Sequence, residues 1–178
     1  MIPELVIRMK EMRRAMNPYV LMLYEIVYET KPEAVLEIGV RQGQSTRTIL
    51  SALKQNNKGK LVSIDLNDCS HRIPEELKSF WIPVIGDSHQ EETFKKVESV
   101  LKTLRASAYD IILIDGDHSY EGVKKDFEMY SKLGNYLVLF HDIQTPQTGV
   151  PKFWKELKLP KVSLRHGFAG MGLVNLNE

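Results

Sequence analysis

The sequence predicts an α/β protein built on a doubly wound, mostly parallel sheet of seven strands, with an antiparallel hairpin strand at its C-terminal end. Two observations predict this fold class. From residue 34 onward, short and almost continuously apolar runs alternate with segments whose apolar residues recur at helical spacing, as in parallel sheets covered on both faces. Near the C-terminus, two strand-like runs are joined by a short link that contains glycine, which predicts a hairpin.

Five apolar runs are predicted to form the parallel part of the sheet. Their sequences are AVLEIG, KLVSIDL, WIPVIGD, YDIILIDGD and NYLVLFHD. Helices are predicted over residues 91–104 and 121–133, because the apolar residues of each segment fall on one helical face. A shorter helix around residues 151–157 precedes the hairpin runs KVSLRHG and GMGLVNLN.

The N-terminal part of the chain is predicted to be helical. One helical face is marked by Leu5, Met9, Met12 and Met16. Pro18 interrupts the first helix, and the helical spacing resumes after it. We therefore divide the chain into N-terminal helices over residues 1–32 and a sheet domain over residues 33–178.

The composition excludes several classes of protein. The chain has 178 residues, 24 basic and 23 acidic, with a formal net charge of +1, which argues against charge-driven binding to nucleic acid or to a membrane. A single cysteine, Cys69, excludes an internal disulfide and fits a reducing compartment. The N-terminus lacks a signal-peptide core, and the most apolar segment, PYVLMLYEIVY, is too short to span a bilayer. We expect a cytoplasmic protein.

Glycines and acids follow the predicted parallel strands where those strands end, at the edge where open α/β sheets bind ligands. After the first strand, Gly39 and Gly43 allow a tight turn and a close approach to a ligand. Ser45 or Thr46 is predicted to cap the next helix. This spacing differs from the dinucleotide fingerprint Gly-x-Gly-x-x-Gly.

The second and third strands end in groups suited to a nucleoside. Asp65 lies 22 residues after Gly43, an offset at which a carboxylate can accept both hydroxyls of a ribose. Asp87 and Ser88 follow the third strand and offer hydrogen-bonding groups for a base.

The fourth and fifth strands end in acids and histidines. Asp115 is expected to belong to the site, whereas Asp117 is predicted to cap the following helix. For His118 the choice between a base and a substrate-orienting group is open, and for His141 the choice is between a site role and a structural hydrogen bond. Histidines without ligand spacing are predicted to lie on the surface or in loops, and these are His71, His89 and His166.

Together these residues resemble the class I S-adenosylmethionine-dependent methyltransferases. The resemblance covers about residues 34–176 and is carried by VLEIGVRQGQST, SIDL, GDS, IDGDHSYEGVKKDFEMY and FHDI. The hairpin is similar to the antiparallel last strand that distinguishes these Rossmann-like methyltransferases from nicotinamide-binding folds. More narrowly, the chain resembles the small-molecule O-methyltransferases related to the catechol, caffeoyl-coenzyme A and antibiotic-tailoring enzymes.

The resemblance implies S-adenosylmethionine as the cofactor. It assigns the methionine end to Glu37, Gly39 and Gly43, the ribose to Asp65, and the border of the adenine to the two residues that follow the third strand. The predicted cofactor-binding residues are Glu37, Gly39, Gly43, Ser45, Asp65, Asp87, Ser88 and Asp115.

In the metal-dependent relatives, a divalent ion is held by positions that match Asp115, His141 and Asp142. The resemblance therefore implies Mg²⁺ or Mn²⁺ as a second cofactor, and an imidazole ligand shifts preference towards Mn²⁺, Fe²⁺ or Zn²⁺, or towards no metal. His118 stands where the caffeoyl-type enzymes have a lysine thought to deprotonate the substrate. The predicted catalytic residues are His118 and His141, either of which could accept the hydroxyl proton. A metal that lowers the pKa of the hydroxyl is the alternative.

The predicted function is methyl transfer from S-adenosylmethionine to a small-molecule acceptor, with a hydroxyl oxygen as the expected nucleophile. By resemblance the acceptor is a sugar or a phenol, and the N-terminal helices serve as a cap or form a homodimer. Two alternatives differ in class. One is a cofactor-binding module without catalysis, and the other is a nicotinamide oxidoreductase, which the missing middle glycine and the hairpin disfavour.

Overall fold

The computed structural model describes residues 18–164 and 169–177, and the predicted α/β fold is confirmed. The strands are β1 (Ala34–Ile38), β2 (Lys60–Asp65), β3 (Trp81–Ile85), β4 (Tyr109–Ile114), β5 (Gly134–His141), β6 (Lys161–Leu164) and β7 (Met171–Asn175). The helices are α1 (Pro18–Thr30), α2 (Gln44–Asn56), α3 (Glu75–Lys78), α4 (Glu91–Leu104), α5 (Tyr120–Tyr130) and α6 (Val150–Glu156). Short 3₁₀ turns occupy Ser70–Arg72 and Ser131–Leu133.

The seven strands within the described residues form one sheet in the order β3-β2-β1-β4-β5-β7-β6. The first five strands are parallel, and β7 runs antiparallel to both of its neighbours, β5 and β6. Val35 of β1 pairs with Leu61 on one side and with Ile111 on the other. The strand order therefore reverses between β1 and β4, which is where an open α/β sheet binds its ligand.

Apolar layers cover both faces of the sheet. On one face, α1, α2 and α3 pack against alternate strand residues such as Val35 and Leu113. On the other face, α4, α5 and α6 pack against residues such as Leu36 and Ile112. Burial on both faces explains why β1 has a continuously apolar sequence apart from one residue, Glu37.

Most predicted boundaries agree with the structure. The helix over residues 91–104 is confirmed residue for residue as α4. The helix predicted over residues 121–133 ends at Tyr130, and its last three residues form a 3₁₀ turn before β5 begins at Gly134. The methionine-rich stripe of residues 5–16 and His166 lie outside the described residues. Within the described part of the chain, no helix is both long and apolar enough to cross a membrane.

Two capping predictions are wrong. The N-cap of α2 is Gly43, in a left-handed conformation at φ 70°, and it makes no side-chain hydrogen bond. The N-cap of α5 is Ser119, whose hydroxyl accepts a hydrogen bond from the amide of Gly122 at 3.0 Å. Asp117 instead accepts a hydrogen bond from the amide of Ser119. Ser45 is not a cap because it lies inside the first turn of α2, where it is buried.

Candidate active site

The loops after β1 and β4 meet at the point where the strand order reverses. The amide of Asp115 donates to the carbonyl of Ile38 at 2.9 Å. Gly39 has φ 96°, and a Cβ atom at this position would clash with the carbonyl oxygen of Asp115. Glycine is required here both for the backbone angle and for the contact. The sequence-predicted Gly39 and Asp115 are thus brought together.

Four acidic and histidine side chains cluster at the ends of β4 and β5. The Nδ1 atom of His118 lies 2.8 Å from Oδ2 of Asp142, and its Nε2 atom lies 3.4 Å from Oδ1 of Asp115. The Nδ1 atom of His141 lies 3.1 Å from Oδ1 of Asp115 and 3.6 Å from Oδ2 of Asp142. All four side chains are only partly exposed, between 13% for Asp142 and 33% for His118. The residues predicted at the two strand ends therefore form one contiguous site.

The charges of this cluster hold protons on its histidines. The carboxylates of Asp115 and Asp142 raise the pKa of His118 to about 10. Burial opposes the charged form of His141, but the Asp115 carboxylate outweighs it and the pKa of His141 is raised. Burial also disfavours the Asp142 carboxylate, yet His118 and Thr145 hold the pKa of Asp142 at about 2. At neutral pH this arrangement makes His118 a cationic hydrogen-bond donor.

The loop after β5 is tied to the loop after β4. Asp142 has a left-handed backbone at φ 61°, and its Oδ1 atom accepts a hydrogen bond from the hydroxyl of Thr145 at 2.6 Å. The amide of Gly149 donates to the carbonyl of His118 at 2.7 Å. A non-glycine residue in this conformation is strained, and such strain is often found at functional sites. These bonds fix the separation of Asp142 and His118.

Three residues of the cluster can present ligand atoms to a cation. One atom each from Asp115, His118 and Asp142 lies within 4.8 Å of the other two. The metal site predicted from the sequence contains Asp115, Asp142 and His141, whereas this set contains the same two acids with His118. Two carboxylates with one imidazole form a donor set suited to Mn²⁺ more than to Mg²⁺.

Tyr19 reaches the same cluster from α1, which the sequence did not predict. Its ring centroid lies 4.2 Å from that of His141. Burial and the nearby carboxylate of Asp115 raise the pKa of the Tyr19 hydroxyl well above its ordinary value. The available sequence signal was helical spacing, since Tyr19 shares one face of α1 with Met22, Leu23 and Ile26. That spacing predicts burial and says nothing about a neighbour more than a hundred residues away.

Glu37, predicted to hold the methionine end of a cofactor, is fully buried in β1. Its Oε2 atom accepts hydrogen bonds from Thr46 at 2.8 Å and from Ser63 at 2.7 Å. Burial raises the pKa of Glu37 to about 7, against the opposing effect of the hydroxyls of Ser45, Ser63 and Thr46. The structure therefore places Ser45 beside Glu37.

Asp65, at the end of β2, joins the first two loops. Its Oδ2 atom accepts hydrogen bonds from the amides of Val40 and Arg41, both at 3.0 Å, and its Oδ1 atom accepts one from Asn67 at 2.9 Å. Burial acts against the charged form, but these amides lower the pKa of Asp65. An ionised carboxylate has about four lone-pair sites, so three are in use and capacity for a ligand hydroxyl remains.

The loop after β3 brings Asp87, Ser88 and His89 to the same edge of the sheet. Asp87 accepts a hydrogen bond from the amide of His89 at 2.8 Å. The carbonyl of Ser88 accepts one from the hydroxyl of Tyr130 at 2.8 Å. His89 lies in a loop as predicted, but its imidazole is 20% exposed and lies 3.2 Å from the buried carboxylate of Asp126. Asp126 was not singled out in the sequence.

Residues 36–143 match a family model described as a methyltransferase domain, which is more than half of the chain. The chain belongs to this methyltransferase family. The matched segment begins in β1 and ends one residue beyond Asp142, so it contains both the glycine loop and the acid and histidine cluster of the methyltransferase. Tyr19 lies outside it.

Individual relatives are distant. The uncharacterized protein y4gI of Sinorhizobium fredii is 24% identical over 160 residues, which cover 84% of this methyltransferase but 18% of the relative. A Mycobacterium sp. protein is 32% identical over 88 residues, which cover 49% of this chain and 38% of the relative. The chain thus spans less than half the length of either of these relatives.

Solved structures share the fold. An O-methyltransferase from Bacillus cereus in complex with SAH is 15% identical, with a TM-score of 0.66 over 97% of this chain and 89% of that chain. MycE, a methyltransferase from the mycinamycin biosynthetic pathway in complex with Mg and SAH, is 17% identical, with a TM-score of 0.58 over 89% and 48%. At these identities the similarity shows the fold alone.

Proposed function

We propose that this protein transfers a methyl group from S-adenosylmethionine to a hydroxyl oxygen of a small-molecule acceptor. The observation that carries the proposal is the convergence of the glycine loop after β1 with the cluster of Asp115, His118, His141 and Asp142 at the reversal point of the sheet. This arrangement offers a cofactor-binding edge beside groups that can handle a proton. The SAH-bound Bacillus cereus enzyme and Mg- and SAH-bound MycE, which share the fold, support the choice of cofactor.

In the proposed reaction the acceptor oxygen attacks the methyl carbon of the sulfonium as the carbon–sulfur bond breaks, and the thioether leaves with the electron pair. Because that leaving group is neutral, the protein's main tasks are to align the two reactants and to exclude water. The cofactor is assigned as predicted, with Gly39 and Gly43 beside the methionine end and Asp65 at the ribose. Asp87 and Ser88 border the adenine.

The acceptor hydroxyl must also lose its proton, and His118 is the proposed acceptor of that proton. Between the carboxylates of Asp115 and Asp142, His118 is protonated at neutral pH, because they raise its pKa to about 10. Neutralising Asp115 and Asp142 would remove that attraction and return the imidazole to its basic form. His141, with its ring against Tyr19, is proposed to orient the Asp115 carboxylate.

A divalent cation is the group that would neutralise these carboxylates. Asp115 and Asp142 could hold it through one carboxylate oxygen each, and such oxygen ligands suit Mg²⁺ or Mn²⁺. When bound, the ion would lower the pKa of an acceptor hydroxyl. If His118 served as a ligand it could not also take the proton, so we propose that the ion lies on the two carboxylates and leaves His118 as the base.

Calorimetric titration with S-adenosylhomocysteine tests the cofactor assignment. The wild type is expected to bind one equivalent, and Asp65→Asn to lose at least about tenfold in affinity, since the amide would present donors to the loop amides. Asp68→Asn, which removes an exposed charge from the same loop, is the control and should bind normally. A wild type that binds NAD but not S-adenosylhomocysteine would contradict the assignment.

Transfer of a labelled methyl group to a panel of phenols and sugars tests the reaction. We expect transfer to at least one hydroxylated acceptor, lost in His118→Ala and preserved in His71→Ala, since His71 lies exposed in the 3₁₀ turn after β2. Cofactor binding should survive in both variants. A wild type that binds the cofactor but labels no member of the panel would favour a binding module without catalysis. Undiminished transfer by His118→Ala would show that His118 is not the base.

A further inference from the structure

Helix α5 contacts the loop after β3 through two residues on one of its faces. The hydroxyl of Tyr130 donates to the carbonyl of Ser88, and Oδ1 of Asp126 lies 3.2 Å from Nε2 of His89. Asp126 and Tyr130 are four residues apart and therefore lie one above the other on the helix. One turn of α5 thus holds two consecutive residues of this loop.

Asp126 is in an environment that stability alone does not favour. Its side chain is completely buried, and among the described residues neither carboxylate oxygen accepts a hydrogen bond of regular geometry. Burial raises the pKa of Asp126 to about 6, against the opposing effects of Ser88 and His89. Removing a carboxylate from water costs several kcal/mol, and a single close contact with a partner side chain often recovers less than that. Such a contact is better explained by the position it enforces than by stabilisation.

The position of Asp126 connects the two sides of the site. Its Oδ2 atom lies 3.5 Å from the point that a Cβ atom of Gly116 would occupy, directly after Asp115 in the loop that follows β4. On its other side is His89, in the loop that contains Asp87 and Ser88. A single side chain therefore packs against both the acid and histidine loop and the loop assigned to the adenine.

We propose that Asp126 and His89 are positioning residues that fix the loop of residues 86–90. Recognition of the adenine amino group by this loop then depends on the contact between Asp126 and His89. The inference rests on the proposed function, in which Asp87 and Ser88 border the adenine. Asp126 is fully buried and acts through the loop, whose residue His89 it holds in place.

The test compares two ligands that differ only at the base. S-Adenosylhomocysteine carries the adenine amino group, and S-inosylhomocysteine has a carbonyl oxygen in its place. For Asp126→Asn we expect binding of S-adenosylhomocysteine to weaken about tenfold, because about one hydrogen bond to the base is lost. Binding of S-inosylhomocysteine should change much less, so the dissociation constant of S-inosylhomocysteine divided by that of S-adenosylhomocysteine should fall. Glu128→Gln, on the exposed side of the same helix, should leave both constants unchanged.

A second pair of variants keeps the test decisive if Asp126→Asn does not fold. His89→Gln alters the partly exposed member of the pair, and Tyr130→Phe removes the bond to Ser88 without changing a charge. Both should lower the same ratio, with cooperative thermal unfolding retained. Equal weakening of both ligands would indicate a general structural role and overturn the inference, as would unchanged constants in every folded variant. A wild type that binds neither ligand would instead refute the proposed function.

Discussion

Glu37 illustrates how the interior changes the chemistry of a single acid. Its carboxyl group is enclosed in the central strand, where the hydroxyls of Thr46 and Ser63 replace part of the water that a charged form would need. Hydrogen bonds to two hydroxyls do not compensate fully for the loss of solvent, and the pKa of Glu37 rises from 4.5 to about 7. The folded protein therefore holds this proton more tightly than the unfolded chain does.

That difference predicts how stability depends on pH. Because the folded-state pKa is the higher one, the contribution of Glu37 to the free energy of unfolding is fully present below pH 4.5. It is lost as the pH rises to about 7. Urea unfolding of the cofactor-free protein should show the wild type losing roughly 3 kcal/mol relative to Glu37→Gln across this range. Glu98→Gln, an exposed change on α4, should run parallel to the wild type. If the stability of Glu37→Gln also ran parallel to that of the wild type across this pH range, the raised pKa of the Glu37 carboxyl group would be contradicted.

At the scale of elements, the glycine loop between β1 and α2 is held by two glycines with different requirements. Gly39 is confined by the backbone of Asp115 and Gly116, whereas the nearest atoms to a Cβ at Gly43 belong to the side chains of Arg47 and Arg72 and to Ile73. The side chains around Gly43 can move aside, whereas the backbone of Asp115 and Gly116, at the end of the paired strand β4, cannot. Both glycines have a positive φ, which alone disfavours a larger residue.

Alanine at these two positions should therefore have unequal effects. We expect Gly43→Ala to lower the free energy of unfolding by about 1 kcal/mol, the penalty for the left-handed conformation. Gly39→Ala should lose roughly 2 kcal/mol or more, because strain is added to a backbone clash. Chemical denaturation of the two variants measures the difference, and equal losses would contradict the close contact with Asp115.

Helix α1 is the second element that shapes the site. It is fixed by the apolar contacts of Met22, Leu23 and Ile26 in the core, and by Asn56, whose side-chain amide donates to the carbonyls of Val27 and Tyr28. The helix thus places Tyr19 against His141 as part of the core rather than as a loose flap.

Removal of the Tyr19 ring should expose His141. We expect Tyr19→Ala to accelerate modification of His141 by diethyl pyrocarbonate several-fold, as measured by mass spectrometry of the peptide. Tyr28→Ala is the control, because Tyr28 stacks on Tyr24 on the same helix and not on a histidine. A rate for His141 that does not change in Tyr19→Ala would mean that the ring does not shield it.

At the scale of the whole molecule, the sheet is most strongly held at its centre. Strands β1 and β4 are paired on both sides and almost entirely buried, whereas β6 has four residues at one edge and none of them is buried. Hydrogen exchange should reflect this gradient, since edge strands open locally while central strands exchange only on global unfolding. Peptides from β1 and β4 should exchange at least about tenfold more slowly than those from β6. Equal protection would point to an additional contact along β6.

Much of this architecture is encoded locally. Strands buried on both faces require continuous apolar runs, so the five parallel strands could be predicted from short windows, and the one-sided apolar pattern of residues 91–104 predicts α4 to the residue. Acids placed directly after such strands must gather at one edge of a parallel sheet, which predicts that Asp115 and Asp142 are neighbours.

What only the tertiary structure decided concerns groups brought together from distant parts of the chain. The burial of Glu37, the two carboxylates around His118, the ring of Tyr19 on His141 and the contact of His89 with Asp126 each depend on what the neighbouring element presents. By itself the sequence determined the parallel sheet, its antiparallel end and the edge that carries the site, because these follow from the periodicity of single segments. The protonation and the partners of the site residues follow from distances across segments, and no local pattern contains them.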